Sequence, residues 1–120
     1  MRIDRMVKAT VAALEDIKAR DIMVLDVRKM TWLCDRMIIA SADSGRQSKA
    51  LSSNVQEKLK ALGAKVYGVE GEENGDWVLV DFGNVVVHIM QPAVRTYYNL
   101  EQLWGGEHKP VRRRRKAAAV

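Results

Sequence analysis

The side chains of this 120-residue chain that could do chemistry are few and scattered. They are the isolated carboxylates Asp26, Asp43 and Asp81, a Ser44-Gly45-Arg46 turn, one histidine inside an apolar run, His88, and the single cysteine, Cys34. Metal-assisted nucleotidyl transfer needs carboxylates converging on one cation, usually an Asp-x-Asp pair on a strand after a Gly-Ser turn. No Asp-x-Asp occurs here, so the lone carboxylates read as turn formers, caps or rim charges. The Ser44-Gly45-Arg46 turn could hold a phosphate at a helix N-terminus, but a helix cap is the commoner use of such residues. Imidazole titrates near neutrality and so suits general base catalysis. His88, however, has no Ser or Cys nucleophile close by in sequence, and a structural or interface hydrogen bond is the better reading. A single cysteine excludes an intramolecular disulfide and fits a reducing compartment.

The element that must position His88 is a hairpin. Asp76-Trp77-Val78-Leu79-Val80-Asp81-Phe82 and Val85-Val86-Val87-His88-Ile89-Met90 flank Gly83-Asn84, residues that tolerate the positive φ of a tight primed turn. If Gly83 and Asn84 are the loop, Trp77 faces Met90, Val78 faces Ile89, Leu79 faces His88, Val80 faces Val87 and Asp81 faces Val86. Side chains alternate between the two faces of such a ribbon. One face carries Val78, Val80, Phe82, Val85, Val87 and Ile89 and predicts core. The other carries Trp77, Leu79, Asp81, Val86, His88 and Met90, a mixture that suits a protein-binding patch better than a core or a solvated surface.

The remaining elements follow from periodicity. Val7, Val11, Leu14 and Ile17 form the stripe of an amphipathic helix over residues 4 to 19, with Asp4 at the N-cap. Ile22 to Val27 and Arg36 to Ala42 read as buried strands, paired antiparallel across the linker 28 to 35. Leu51, Val55, Leu59 and Leu62 predict a second helix ending at Gly63. Lys65 to Val69 is a third strand, and strand, helix and strand over residues 37 to 69 predict a crossover unit with two parallel strands. The hairpin then completes a five-stranded mixed sheet. Pro92 opens a short helix, because its missing N–H would be unpaired in a first turn anyway.

Composition sets the class. Hydrophobic residues are 48% and charged residues 29%, ordinary for a globular protein of one modest core. The net charge of +5 suggests nucleic acid until it is divided, because Lys109, Arg112, Arg113, Arg114, Arg115 and Lys116 supply six of the twenty positive charges. Residues 1 to 108 keep fourteen Lys and Arg against fifteen Asp and Glu, so phosphate attraction belongs to the basic tail. There is no apolar run of membrane-spanning length, no signal-peptide core and no Cys/His cluster, which predicts a cytoplasmic protein without a structural zinc site.

Glu70-Gly71, Asp76-Trp77, Asp81-Phe82-Gly83, Val87-His88 and Arg95-x-x-Tyr98-x-Leu100-Glu101-x-Leu103-Trp104 share order and spacing with the ribosomal silencing factor family, also called Iojap-related proteins. Upstream, Asp21-Ile22, Leu25-Asp26-Val27, Asp35-x-Met37-Ile38-Ile39-Ala40 and Ser44-x-Arg46-Gln47 are also similar to it. A dozen fixed-spacing matches over one small domain form a specific pattern. The resemblance implies a domain over residues 1–104, an α/β sandwich of a mixed five-stranded sheet packed with helices, nucleotidyltransferase-like in topology, followed by a flexible basic tail over 105–120.

Resemblance to this family also implies a role. It is a translation inhibitor, not an enzyme, with no cofactor or metal, that binds the fourteenth protein of the large ribosomal subunit and blocks subunit joining under starvation or in stationary phase. An accessory role in large-subunit assembly goes with it. On this reading the contact residues are Trp77, Leu79, Asp81, His88 and Met90 of the mixed face, Arg95, Tyr98, Leu100 and Glu101 after it, and Glu70 at its edge. Aromatic and apolar groups would anchor, Asp81, Arg95 and Glu101 would set register at the rim, and Trp104 would tuck inward. Arg112, Arg113, Arg114 and Arg115 would add a salt-dependent grip on rRNA. A homodimer off the ribosome is the other occupant of the same patch. The competing class, a nucleotidyltransferase-like enzyme, lacks its metal motif.

Overall fold

The computed structural model describes residues 2–104 together with the backbone of 108–110. Helix α1 (Ile3–Asp16) leads into strand β1 (Arg20–Asp26), β2 (Arg36–Ser41), helix α2 (Gly45–Ala61) and strands β3 (Gly68–Glu70), β4 (Trp77–Asp81) and β5 (Val85–Met90). Two short helices, α3 (Pro92–Tyr98) and α4 (Leu100–Trp104), precede strand β6 (His108–Pro110). The strands form one mixed sheet in the order β3-β4-β5-β2-β1-β6. The five strands expected from the sequence are present. The sixth falls within the stretch read as a tail and pairs antiparallel with Met23, Val24 and Leu25, covering the edge that β1 would otherwise expose. Arg112, Arg113, Arg114 and Arg115 lie outside the described residues.

The hairpin forms in the register set by its turn, from Trp77 opposite Met90 to Asp81 opposite Val86. Gly83 alone in the loop takes a positive φ, 89°, and the Asp81 carboxylate accepts its N–H at 2.7 Å, the pattern of a turn with glycine at its first central position. Beyond the hairpin, β5 runs parallel to β2 from Arg36 opposite Val85 to Ser41 opposite Met90. Strand β3 therefore points the same way as β2 but does not neighbour it. It pairs with β4 instead, so the expected crossover spans two intervening strands. With three residues, β3 offers a shorter ladder than the Val-rich β5, and β5 takes the place beside β2.

Helices α1 and α2 cover one face. Met6, Ala13 and Leu14 of α1 and Leu51, Val55 and Leu59 of α2 pack on Ile22, Ile38, Ala40, Val78, Val80, Val85, Val87 and Ile89. This is the predicted core face of the hairpin, and Val78, Val80, Val85, Val87 and Ile89 are fully buried there. Helix α2 is well capped at both ends. Ser44 Oγ accepts the Gln47 N–H at 3.1 Å, so the Ser44-Gly45-Arg46 turn is a helix cap. At the other end Gly63 N–H donates to the Lys60 carbonyl at 2.9 Å and Ala64 N–H to that of Leu59 at 3.0 Å, a Schellman arrangement in which Gly63 supplies φ 98°. Helix α1 is capped differently from expectation. Arg2 occupies the N-cap without a side-chain bond, and Asp4 sits in the first turn, where its charge opposes the helix dipole's positive end.

Candidate functional site

Among the described residues, the helices on the other face of the sheet are α3 and α4, joined there by Val27 and Cys34 of the β1–β2 loop. Leu25, Val27, Cys34, Met37, Ile39 and Met90 form a second core there, with Met23, Trp77, Val86, Val94, Leu100 and Trp104 packed on it in part. Met90 is fully buried, which removes it from the predicted contact set: α3 begins two residues later and folds back over it. Trp104 lies half-buried against this second core, turned inward as expected.

Trp77 is the centre of the face and remains half-buried. Its indole Nε1–H donates to Nδ1 of His88 at 3.0 Å, and the two rings lie 5.9 Å apart at 47°. Tyr98 packs on the same indole at 4.7 Å and 50°, and Tyr97 meets Tyr98 edge-on at 5.0 Å. Such tilted and edge-to-face contacts are favourable aromatic geometries. Tyr98 is 52% exposed and Tyr97 80%, so the cluster runs from the sheet outward into solvent. Leu79 and Asp81 are partly exposed along β4, and Glu70 is exposed on β3 opposite Leu79.

His88 lies beneath this cluster. Its ring is buried, and burial lowers its pKa from 6.5 to about 4. The neutral ring accepts at Nδ1, so its proton sits on Nε2. The histidine is thus an orienting acceptor for the indole, which corrects its assignment as a contact residue: it acts from behind Trp77. Cys34 is buried, and desolvation raises its thiol pKa, which keeps it protonated and inert.

Arg95 and Glu101 are likewise not rim charges. Arg95 is buried; its Nε donates to Glu101 Oε2 at 2.7 Å, and its Nη1 donates to the Asp21 carbonyl and to Ser41 Oγ, each at 2.7 Å. One guanidinium therefore ties α3 to α4, to β1 and to β2. The Asp21 carbonyl is available because Asp21 takes a left-handed φ of 49° where the β1–β2 register shifts. Arg95 also borders a cleft of about 460 Å³ with Met23, Pro92, Thr96 and Asn99. Asn99, at φ 45°, makes the corner between α3 and α4, and its N–H returns to the Arg95 carbonyl. Arg95 and Glu101 thus hold the corner that sets Tyr98 against Trp77.

The motif glycine Gly71 supports the same site from the other side. At φ 88° it lets the chain pass so close to the Trp77 carbonyl that a Cβ would overlap it. Among the described residues no group of His, Cys, Asp and Glu could hold a metal ion, and no helix is long and apolar enough to cross a membrane. The arrangement is suited to contact. Two aromatic groups are held in place and half sheltered, and the polar atoms behind them are satisfied. Sequence reasoning passed over Tyr97, well exposed and in contact with Tyr98, and the Tyr97-Tyr98 doublet was the signal for it.

Comparison with known proteins bears on which partner such a face meets. A family model described as ribosomal silencing factor during starvation matches residues 1–119. A relative from Chromobacterium violaceum named ribosomal silencing factor RsfS is 56% identical over 107 residues, covering 89% of this chain and 88% of the relative. A crystal structure of a protein from the same species superposes with a TM-score of 0.87 at 56% identity, covering 92% of each chain. A mouse protein named mitochondrial assembly of ribosomal large subunit protein 1 is 35% identical over 97 residues, covering 78% of this chain and 42% of that protein.

Proposed function

The chain belongs to the ribosomal silencing factor family, and on that premise we propose that it docks on the fourteenth protein of the large ribosomal subunit and blocks joining of the small subunit. The observation that carries the proposal is the Trp77–Tyr98 pair, fixed from behind by His88 and left half open at its front. An aromatic anchor in a fixed orientation loses little side-chain entropy on binding, which is what makes such residues hot spots. The contact surface comprises Trp77, Leu79, Tyr98 and Leu100, extended by Tyr97, with Asp81 and Glu70 toward its edges. Arg95, Glu101 and His88 position it, and Met90 underlies it.

The action is steric and involves no catalysis, cofactor or metal. A domain of this size on the joining face of the large subunit occupies volume that the small subunit must enter, and each bound subunit leaves the joining equilibrium by mass action. The setting is the cytoplasm under starvation or in stationary phase, in keeping with the description of the family. The name of the mouse relative supports an accessory role in large-subunit assembly. A homodimer through the same aromatic face would keep it covered off the ribosome, and the Arg112–Arg115 run would strengthen the hold on rRNA once docked.

Pull-down of the purified ribosomal partner by wild type and by Trp77→Ala tests the docking face. The expected loss is about 2 kcal/mol or more of binding free energy, and equal recovery sinks the assignment. Sedimentation of mixed subunits with and without the protein tests the blocking step: undiminished joined particles would refute it.

A further inference from the structure

The cleft beside Arg95 opens on the reverse face where β1 begins, and the side chains lining it carry a net negative charge. Asp21 and Glu101 contribute two carboxylates against the one guanidinium of Arg95. That guanidinium is already committed through Nε and Nη1 to Glu101, Ser41 and the Asp21 carbonyl. Glu101 meets it through Oε2. Among the described residues the Glu101 Oε1, the Asp21 carboxylate and the Asn99 Oδ1 have no partner. The cations that precede Asp21 leave it unpaired: Arg20 is bound to Asp43, and Lys18 forms no ion pair among the described residues. Three oxygen acceptors, two of them on carboxylates, therefore await a cation.

The chain itself is aimed at this cleft. Strand β6 pairs antiparallel with β1, His108 opposite Leu25, Lys109 opposite Val24 and Pro110 opposite Met23, so each further residue moves one step toward the start of β1. Residues 111 to 120 follow, and Arg112 to Arg115 fall early among them. We infer that the cleft seats this segment: the Arg112 guanidinium pairs with the Asp21 carboxylate, facing Glu101 Oε1, and the tail straps the open end of the reverse face. Two extended residues span about 7 Å, which brings Arg112 level with Asp21, and the period of two keeps it on the side that Pro110 shares with the cleft residue Met23. The positive φ at Asp21 interrupts a regular ladder there, a gap that a long arginine side chain can bridge. A planar guanidinium matches carboxylate and amide oxygens. A tether of two residues also holds Arg112 at a local concentration that a cation from another molecule must exceed. Phosphate would have to displace Asp21 before this arginine could engage it. The pairing is internal to the chain, so it stands or falls independently of the ribosomal partner proposed above.

Limited trypsin digestion of the full-length chain, with mass spectrometry reading the cut after each arginine, tests the strap. Trypsin must take the arginine side chain into its own acidic pocket, so cutting after Arg112 follows the fraction of chains in which the pair is open. Asp21→Asn keeps the shape of the side chain, accepts the φ of 49° and leaves the backbone carbonyl that Arg95 uses; thermal melting checks that it folds. Cutting after Arg112 should be about threefold faster in this variant than in wild type, the size of a partly exposed ion pair. Glu73→Gln, which removes a carboxylate between β3 and β4 at the far edge of the sheet, should leave it unchanged. In about 1 M salt, screening should bring Asp21→Asn and wild type together, and in wild type the cut after Arg112 should gain on that after Arg115. Equal cutting after Arg112 in wild type and Asp21→Asn at low salt would leave the cleft to a cation from another molecule and overturn the inference. So would an acceleration that persists in high salt, which marks a loosened fold, or a wild-type Arg112 cut that fails to gain with salt.

Discussion

The two faces of the sheet solve the same problem by different means. Under α1 and α2, helices of 14 and 17 residues, the sheet meets a continuous layer of aliphatic side chains, with polar tethers such as Asn54 to the Ala13 carbonyl and Gln47 to the Ile17 carbonyl added at its margins. On the reverse face α3 and α4 have seven and five residues, too few to close it. That face relies on directional tethers: Arg95 to Glu101, Ser41 and the Asp21 carbonyl, and the Trp77 indole to His88. It also leaves an aromatic rim unfinished. A face that completes itself has nothing left to offer a partner, whereas one held by tethers can keep large groups both oriented and open.

Substitutions can break this contrast. The largest expected effect lies on the closed face: Leu51→Ala, fully buried between α2 and the sheet, should cost about 4 kcal/mol of unfolding free energy, read by denaturant titration. If the loss were below one quarter of that, the face would not be the main source of stability. The next effect is on pH. Because the folded His88 takes up its proton only near pH 4 while an unfolded imidazole does so near 6.5, stability from this group is complete above about pH 6.5. It is lost as pH falls toward 4, by up to about 3 kcal/mol. His88→Gln should flatten that dependence, and a wild-type curve already flat between these pH values would contradict the buried neutral ring.

Removing the clamp should act locally. Arg95→Ala strands Glu101 and frees the α3–α4 corner, with an expected cost of about 2 kcal/mol, reduced from the fully buried case because Glu101 keeps 20% of its side chain in water. Hydrogen exchange should rise in α3 and α4 and remain slow in α2 and β5; uniform acceleration would mean the two faces are not separable. The smallest effect sharpens the closed face instead. Thr10 is fully buried in α1, and its hydroxyl has no partner among the described residues, so Thr10→Val should raise stability by about 1 kcal/mol. A loss on melting would show that the hydroxyl is in fact satisfied.

Much of this was legible beforehand. The hairpin register, its core face and the two long helices all follow from local patterning and turn chemistry. Which of the proposed contact residues are open to a partner was legible only in part, since Trp77, Leu79 and Tyr98 stay open while Met90 is sealed and Arg95, Glu101 and His88 are buried or engaged within the chain. The apolar cluster Met30-Thr31-Trp32-Leu33 was read merely as a linker, because a tryptophan in a loop is as often folded inward as projected outward.

Alternation along a strand is a local property: each residue's side follows from its neighbour's, so one chain segment suffices to say which residues share a face of the hairpin. What covers each face is not local. The sealing of Met90 and the recruitment of Arg95 depend on α3 turning back across β5, β2 and β1, on a positive φ at Asp21 that frees a carbonyl more than seventy positions from the guanidinium it meets, and on β5 rather than β3 taking the place beside β2. Those are contacts between distant segments, and only the assembled tertiary structure decides among them.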